Sequence, residues 1–129
     1  MVWIASLSVL LLTTAVLLSW IFGVTHIVRI SETSEPMQFN TALGLFACAF
    51  ALLGSQTQNR TTVLISALVA GVIGFLTAIQ YLLQVNLGID SLLVSPLKSD
   101  TSVYPGRPGP NTTLCLCMCS IALLLPVIR

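Results

Sequence analysis

Asn40-Thr41-Ala42-Leu43-Gly44-Leu45-Phe46-Ala47-Cys48-Ala49-Phe50-Ala51-Leu52-Leu53-Gly54 is written a second time, 71 positions on, as Asn111-Thr112-Thr113-Leu114-Cys115-Leu116-Cys117-Met118-Cys119-Ser120-Ile121-Ala122-Leu123-Leu124-Leu125. Eight of the fifteen aligned pairs are identical. Apolar composition alone matches some of the leucines, but it does not supply an Asn-Thr start in the same register. The stretch reads as one helix of a duplicated membrane unit. Two crossings separate its copies, so they are expected to point the same way, as a parallel repeat.

The remaining composition agrees with a lipid environment. The chain has 129 residues, of which 56% are apolar and 7% charged. A water-facing domain carries roughly a quarter charged residues, so the outside of this molecule must meet hydrocarbon. The formal net charge of +1 provides no basic patch, and nucleic acid is not an expected partner. Cys48, Cys115, Cys117 and Cys119 all lie inside apolar runs and read as small apolar fillers rather than a disulfide framework.

Working outward from the repeat, the expected fold is all-α. It is an integral membrane bundle of about four transmembrane helices in two tandem parallel units, forming a single domain over 1–129. Residues 2–24 form an uncleaved first span of about 34 Å, with Trp3 and Trp20 near its ends. The two repeat copies give spans over 39–54 and 113–128, and the first is short at about 24 Å. Asn40 and Asn111 stand where helix N-caps belong. Residues 62–85 give the longest span, about 36 Å, on which Ser66, Ala70, Gly74 and Ala78 form a small-residue stripe for close helix packing. Gln80 and Gln84 share a face at its end, able to hydrogen-bond across helices. Residues 86–110 are a polar or interfacial loop whose 87–94 stretch is half apolar.

Orientation is read from the basic residues. Arg60 and Arg129 stand on very short segments. Arg29, Lys98 and Arg107 share the opposite side with Glu32, Glu35, Asp90 and Asp100. Short loops weigh most, so both termini are expected in the cytoplasm.

Three motifs keep order and spacing along the chain. They are Met37-Gln38-Phe39-Asn40-Thr41-Ala42-Leu43; Gln80-Tyr81-Leu82-Leu83 leading to Leu87-Gly88-Ile89-Asp90-Ser91-Leu92-Leu93; and Pro105-Gly106-Arg107 before Pro110-Asn111-Thr112-Thr113-Leu114-Cys115. In these the chain resembles the N-terminal membrane region of bacterial multidomain sensor histidine kinases and diguanylate cyclases with PAS modules. The resemblance implies an input or anchoring module in a bacterial inner membrane. Such proteins continue into an output domain. This sequence ends at Arg129 and is expected to be an input module without one.

Candidate sites are few. His26, the only histidine, lies with Trp20 at the watery end of the first span. Together they are the candidate contact to a pigment, a haem or a partner subunit, and an ordinary interfacial loop residue is the competing reading of His26. Asp90, after Gly88, is the candidate functional polar residue. It either faces a cavity or pairs with Arg107, unless it is simply a turn at the interface. Cys115, Cys117 and Cys119 are two apart on a helix, successive thiols about 200° apart, which does not converge on a metal. No nucleophile–base pair, paired catalytic carboxylates or phosphate-cradling loop is present. No enzyme activity and no cofactor are expected beyond pigment or lipid contact.

Two functions remain. One is a sensor-type membrane input or anchor module. The other is a small accessory subunit packing on a larger photosynthetic or respiratory complex. Both require the bilayer as partner, together with other membrane subunits or self-association. A channel or transporter is disfavoured by the near absence of charge within the spans.

Overall fold

Four apolar runs become four helices in the computed structural model, which describes residues 1–24, 26, 36–95 and 103–129. They are α1 Val2–Phe22, α2 Phe39–Gln56, α3 Arg60–Leu83 and α4 Pro110–Ile128, with a 3₁₀ turn at Ile89–Ser91 between α3 and α4. All four helices are long and apolar enough to cross a membrane. The chain is a multi-pass membrane protein with an all-helical fold.

Local chemistry sets the helix ends, and it moves several of them from their expected positions. α1 stops because Gly23 enters the left-handed region at φ 70°. The Val24 amide then returns to Ser19 O at 2.9 Å, a Schellman closure. α3 starts earlier than expected because Asn59 Oδ1 accepts from the Thr62 amide at 3.2 Å. α4 starts at Pro110, whose fixed φ and missing N–H suit a first helical position. α2 runs on to Gln56, and its 18 residues give about 27 Å, close to the ~30 Å of a hydrocarbon core.

The two predicted caps are corrected. The residue before α2 is Gln38, and the residue before α4 is Gly109; among the described residues neither N-terminus has a side-chain cap. Asn40 is already inside α2 and buried. Asn111 is inside α4 and exposed. Asn59, opening α3, is an asparagine that does cap a helix.

Helix order follows from which residues meet. Gly54 near the end of α2 lies against Thr62 and Val63 near the start of α3. Gly71 and Gly74 of α3 meet Ser120 and Cys117 of α4 respectively, so that pair is also antiparallel. α2 and α4 therefore run the same way, and Leu116 of α4 seats on Gly44 of α2. α1 packs on α2, with Val16, Trp20 and Ala42 in one buried cluster.

The bundle is apolar outside and small inside. Leu11, Phe22, Leu82 and Ile128 are each more than 70% exposed. Small residues make up most of the buried positions: Ser6, Thr13 and Ser19 on α1; Ala42, Ala47, Ala49 and Ala51 on α2; and Ala67, Ala70, Gly71 and Gly74 on α3, beside a few larger ones such as Trp20, Gln80 and Leu116. In lipid no hydrophobic gain separates an inward leucine from an outward one, so close backbone approach and hydrogen bonds decide the inner face. The buried hydroxyls of α1 are satisfied within that helix: Ser6 donates to Val2 O, Thr13 to Val9 O and Ser19 to Ala15 O.

On α3, Ala70 and Gly74 of the predicted stripe are buried, whereas Ser66 and Ala78 are only half-buried. The inward face is Val63, Ala67, Ala70, Gly71, Gly74, Thr77 and Gln80. Four residues turn a helix by about 400°, so a strict period of four drifts off the packing face.

The Ser120 hydroxyl crosses from α4 to donate to Ala67 O at 2.7 Å, fully inside the bundle. Ser120→Ala is expected to cost about 1 kcal/mol, the scale of an interhelical hydrogen bond in a membrane. A steric-trapping unfolding measurement reads that loss directly.

Candidate functional site

Polar chemistry collects at the end of the bundle where α3 finishes and α2 and α4 begin. Gln84 turns left-handed at φ 57° and ends α3. The chain then folds back: Asn86 Oδ1 accepts from the Gly88 amide at 2.9 Å, and Gln80 Oε1 accepts from the Leu87 amide at 2.9 Å. This reversal lowers the 3₁₀ turn onto the bundle and carries Asp90 inward, to 8% exposure.

Asp90 is met from two directions. The Gln80 side-chain amide, itself fully buried, donates to Oδ1 at 3.1 Å and Oδ2 at 3.2 Å. Arg107 Nε donates to Oδ2 at 2.9 Å, and the pair's side chains are 1% and 6% exposed. A buried ion pair is stabilising only when its remaining groups are hydrogen-bonded, and Gln80 does this for the carboxylate. Of the readings open for Asp90 in the sequence, pairing with Arg107 is the one found.

Arg107 is placed by the Tyr104-Pro105-Gly106-Arg107 turn. The Arg107 amide donates to Tyr104 O at 3.2 Å, and Gly106 has φ 83°. Proline second and a left-handed glycine third are the requirements of a type II turn. The turn folds the Tyr104 ring back over the guanidinium, whose Cζ lies 4.0 Å from the ring centroid and 5.3 Å from that of Tyr81. Arg107 Nη2 donates to Val85 O at 3.3 Å. Nη1 is buried and has no hydrogen-bond acceptor among the described residues.

Three further bonds tie this end together. The Tyr81 hydroxyl donates to Pro108 O at 2.8 Å. Asn40 Nδ2 donates to Ile89 O at 3.1 Å, which is why Asn40 sits inside α2 rather than capping it. Trp20 Nε1 donates to Met37 O at 2.9 Å. Trp20 is thus part of the core, 8% exposed. His26 is exposed.

The matching repeat positions therefore differ in consequence. Asn40→Ala removes one of the two donors to the Ile89 carbonyl, which keeps the Leu92 amide at 3.3 Å, and is expected to cost about 1 kcal/mol. Asn111→Ala removes an exposed side chain with no capping bond and is expected to stay within about 0.5 kcal/mol of wild type. Chemical unfolding of the two variants side by side reads the difference.

Beside the cluster lies a cavity of about 760 Å³, walled by Arg107, Tyr104 and Tyr81 and by residues at the starts of α2 and α4, among them Gln38, Thr41 and Thr112. A second, wholly apolar groove of about 330 Å³ runs between α1, α2 and α4, with Ser6, Cys48 and Cys119 in its wall. All four cysteines are free thiols, and Cys48 and Cys119 both stand in the wall of this groove. Among the described residues no group of three or more His, Cys, Asp or Glu converges as a metal site. Arg29, Glu32, Glu35, Lys98 and Asp100, on which the orientation reading partly rests, lie outside the described residues.

The sequence singled out Asp90 and offered Arg107 as its partner, but it placed Gln80 in helix packing and missed the tyrosines. The available signal was Tyr104-Pro105-Gly106-Arg107-Pro108-Gly109-Pro110, a rigid frame that holds a single arginine. No family model, no characterised protein and no solved structure matches the chain.

Proposed function

We propose that this chain is a non-catalytic membrane input or anchor module of sensor type, and that its polar end is the part that responds. The supporting observation is the Gln80–Asp90–Arg107 cluster, which joins the loop after α3 to helix packing through buried bonds. A change at the loop surface reaches the ends of α2 and α3 together, because Asn40 of α2 and Gln80 and Tyr81 of α3 each bond to the loop, and α4 follows directly on the bonded Pro108. The resemblance to sensor membrane regions points the same way and supports reading a bacterial inner membrane; the basic residues on the short segments favour both termini in the cytoplasm. The Asn-Thr repeat is read as a duplicated helical unit.

One observation favours the second reading, an accessory subunit of a larger membrane complex. The groove between α1, α2 and α4 is apolar and mixes small residues such as Ala5, Ser6, Ala49 and Ala122 with leucines, a shape suited to a neighbouring helix. Purification from native membranes in mild detergent, with identification of co-migrating proteins and pigments, separates the two. The sensor-type reading expects a free monomer or dimer. Stoichiometric recovery in one large pigmented or redox-active assembly would overturn it and establish the subunit.

A further inference from the structure

We propose that the 760 Å³ cavity at the polar end binds a phosphate group, carried by an anionic lipid headgroup or by a soluble phosphate. The inference rests on reading this end as the functional site, and it holds whether the chain is a sensor module or a subunit.

Three features select an anion. α2 and α4 both begin at the cavity, and neither has a side-chain cap among the described residues. Their first-turn amides, including those of Thr41, Asn111 and Thr112, have no intrahelical acceptor, and each helix start carries about half a positive charge. Arg107 is in the cavity wall. The residue is 5% exposed, and its Nη1 is a buried donor with no acceptor among the described residues. Guanidinium and helix-start amides together are the donors that phosphate oxygens take.

Among the described residues a cation finds no comparable site. Both Asp90 oxygens are already engaged by Gln80 and Arg107.

Phosphate rather than a bulk counter-ion follows from position. The cavity lies at the ends of membrane-spanning helices, at the depth of lipid headgroups. It also has an apolar wall in Met37, Val103 and Pro110, suited to the carbon skeleton next to a headgroup or phosphate ester. The Tyr104 ring lies over the guanidinium, so phosphate reaches Nη1 as that ring turns aside. Tyr104 is therefore a reporter of occupancy.

The test uses the full chain in dodecyl maltoside, a phosphate-free detergent, titrated separately with dioleoyl-phosphatidylglycerol and with inorganic phosphate. Native mass spectrometry counts bound lipid, and tyrosine fluorescence with thermal shift follows both titrations. Saturable 1:1 binding of the lipid alone supports the proposal with a headgroup as source. Saturation by inorganic phosphate supports it with a soluble source.

Two variants guard the result. Arg107→Ala is expected to weaken binding at least tenfold, but it disturbs the ion pair. Thr112→Glu places an acid in the first turn of α4, which favours the helix while occupying the anion position. It is expected to keep the wild-type circular dichroism spectrum and lose binding at least tenfold. No saturable binding of either probe, or binding unchanged in a folded Thr112→Glu, overturns the proposal.

Discussion

Asp90→Ala is expected to destabilise the protein by about 3–5 kcal/mol, the loss typical of removing one partner from a buried ion pair. The size follows from what is left behind. Arg107 stays 95% enclosed as the complement of its 5% exposure, held by its turn, with Nε now unpaired as well as Nη1. Gln80 loses the acceptor for its amide at the same time. Asp90→Asn keeps the shape and an acceptor oxygen but removes the charge, and falls between wild type and alanine. Equilibrium unfolding in mixed micelles measures both. A loss below about 0.5 kcal/mol for the alanine variant, the scale of an ordinary surface change, would mean that the pair is solvated and carries little.

The second large effect belongs to the α3–α4 seam. A Cβ at Gly74 would lie 3.0 Å from the Cys117 backbone nitrogen and 3.0 Å from its Sγ. Backbone cannot step aside as a side-chain tip can, so Gly74→Leu must push the helices apart. The expected cost is at least the upper part of the ~1–3 kcal/mol range for overpacking, with loss of the Ser120–Ala67 bond one turn away. Gly71→Ala is milder. Its Cβ meets the Ser120 hydroxyl, 2.5 Å away, and that group can rotate at the expense of its hydrogen bond. A leucine at 74 that left unfolding unchanged would contradict the close approach of α3 and α4.

These two sites mark what the sequence made legible. The spans were readable because every apolar run long enough to cross a bilayer is one of the four helices. Their ends were less readable, since a cap is defined by backbone geometry and not by residue type. Asn40 has the right side chain for a cap, but Ile89, 49 positions away, takes its amide. Asn59 has the same side chain at the true boundary of α3. The small residues of α3 were recognised as a packing device while the face was misplaced, because a period of four and a period of 3.6 part company within two turns. Asp90 stood out in the sequence as an acid flanked by apolar residues, and Arg107 was the basic partner considered for it. That Gln80 would complete the pair, and that a Pro-Gly turn would stack Tyr104 on the guanidinium, depended on how residues 84–90 fold back. No local pattern states that.

The most direct test of the buried polar end is a double-mutant cycle on Asp90→Ala and Arg107→Ala, read by steric trapping in bicelles. Each single variant leaves a buried charge without its partner, whereas the double variant removes both. The structure predicts a coupling energy of about 2 kcal/mol or more, towards the top of the range for residues in direct contact. A coupling under about 0.5 kcal/mol, the value expected of independent sites, would contradict it.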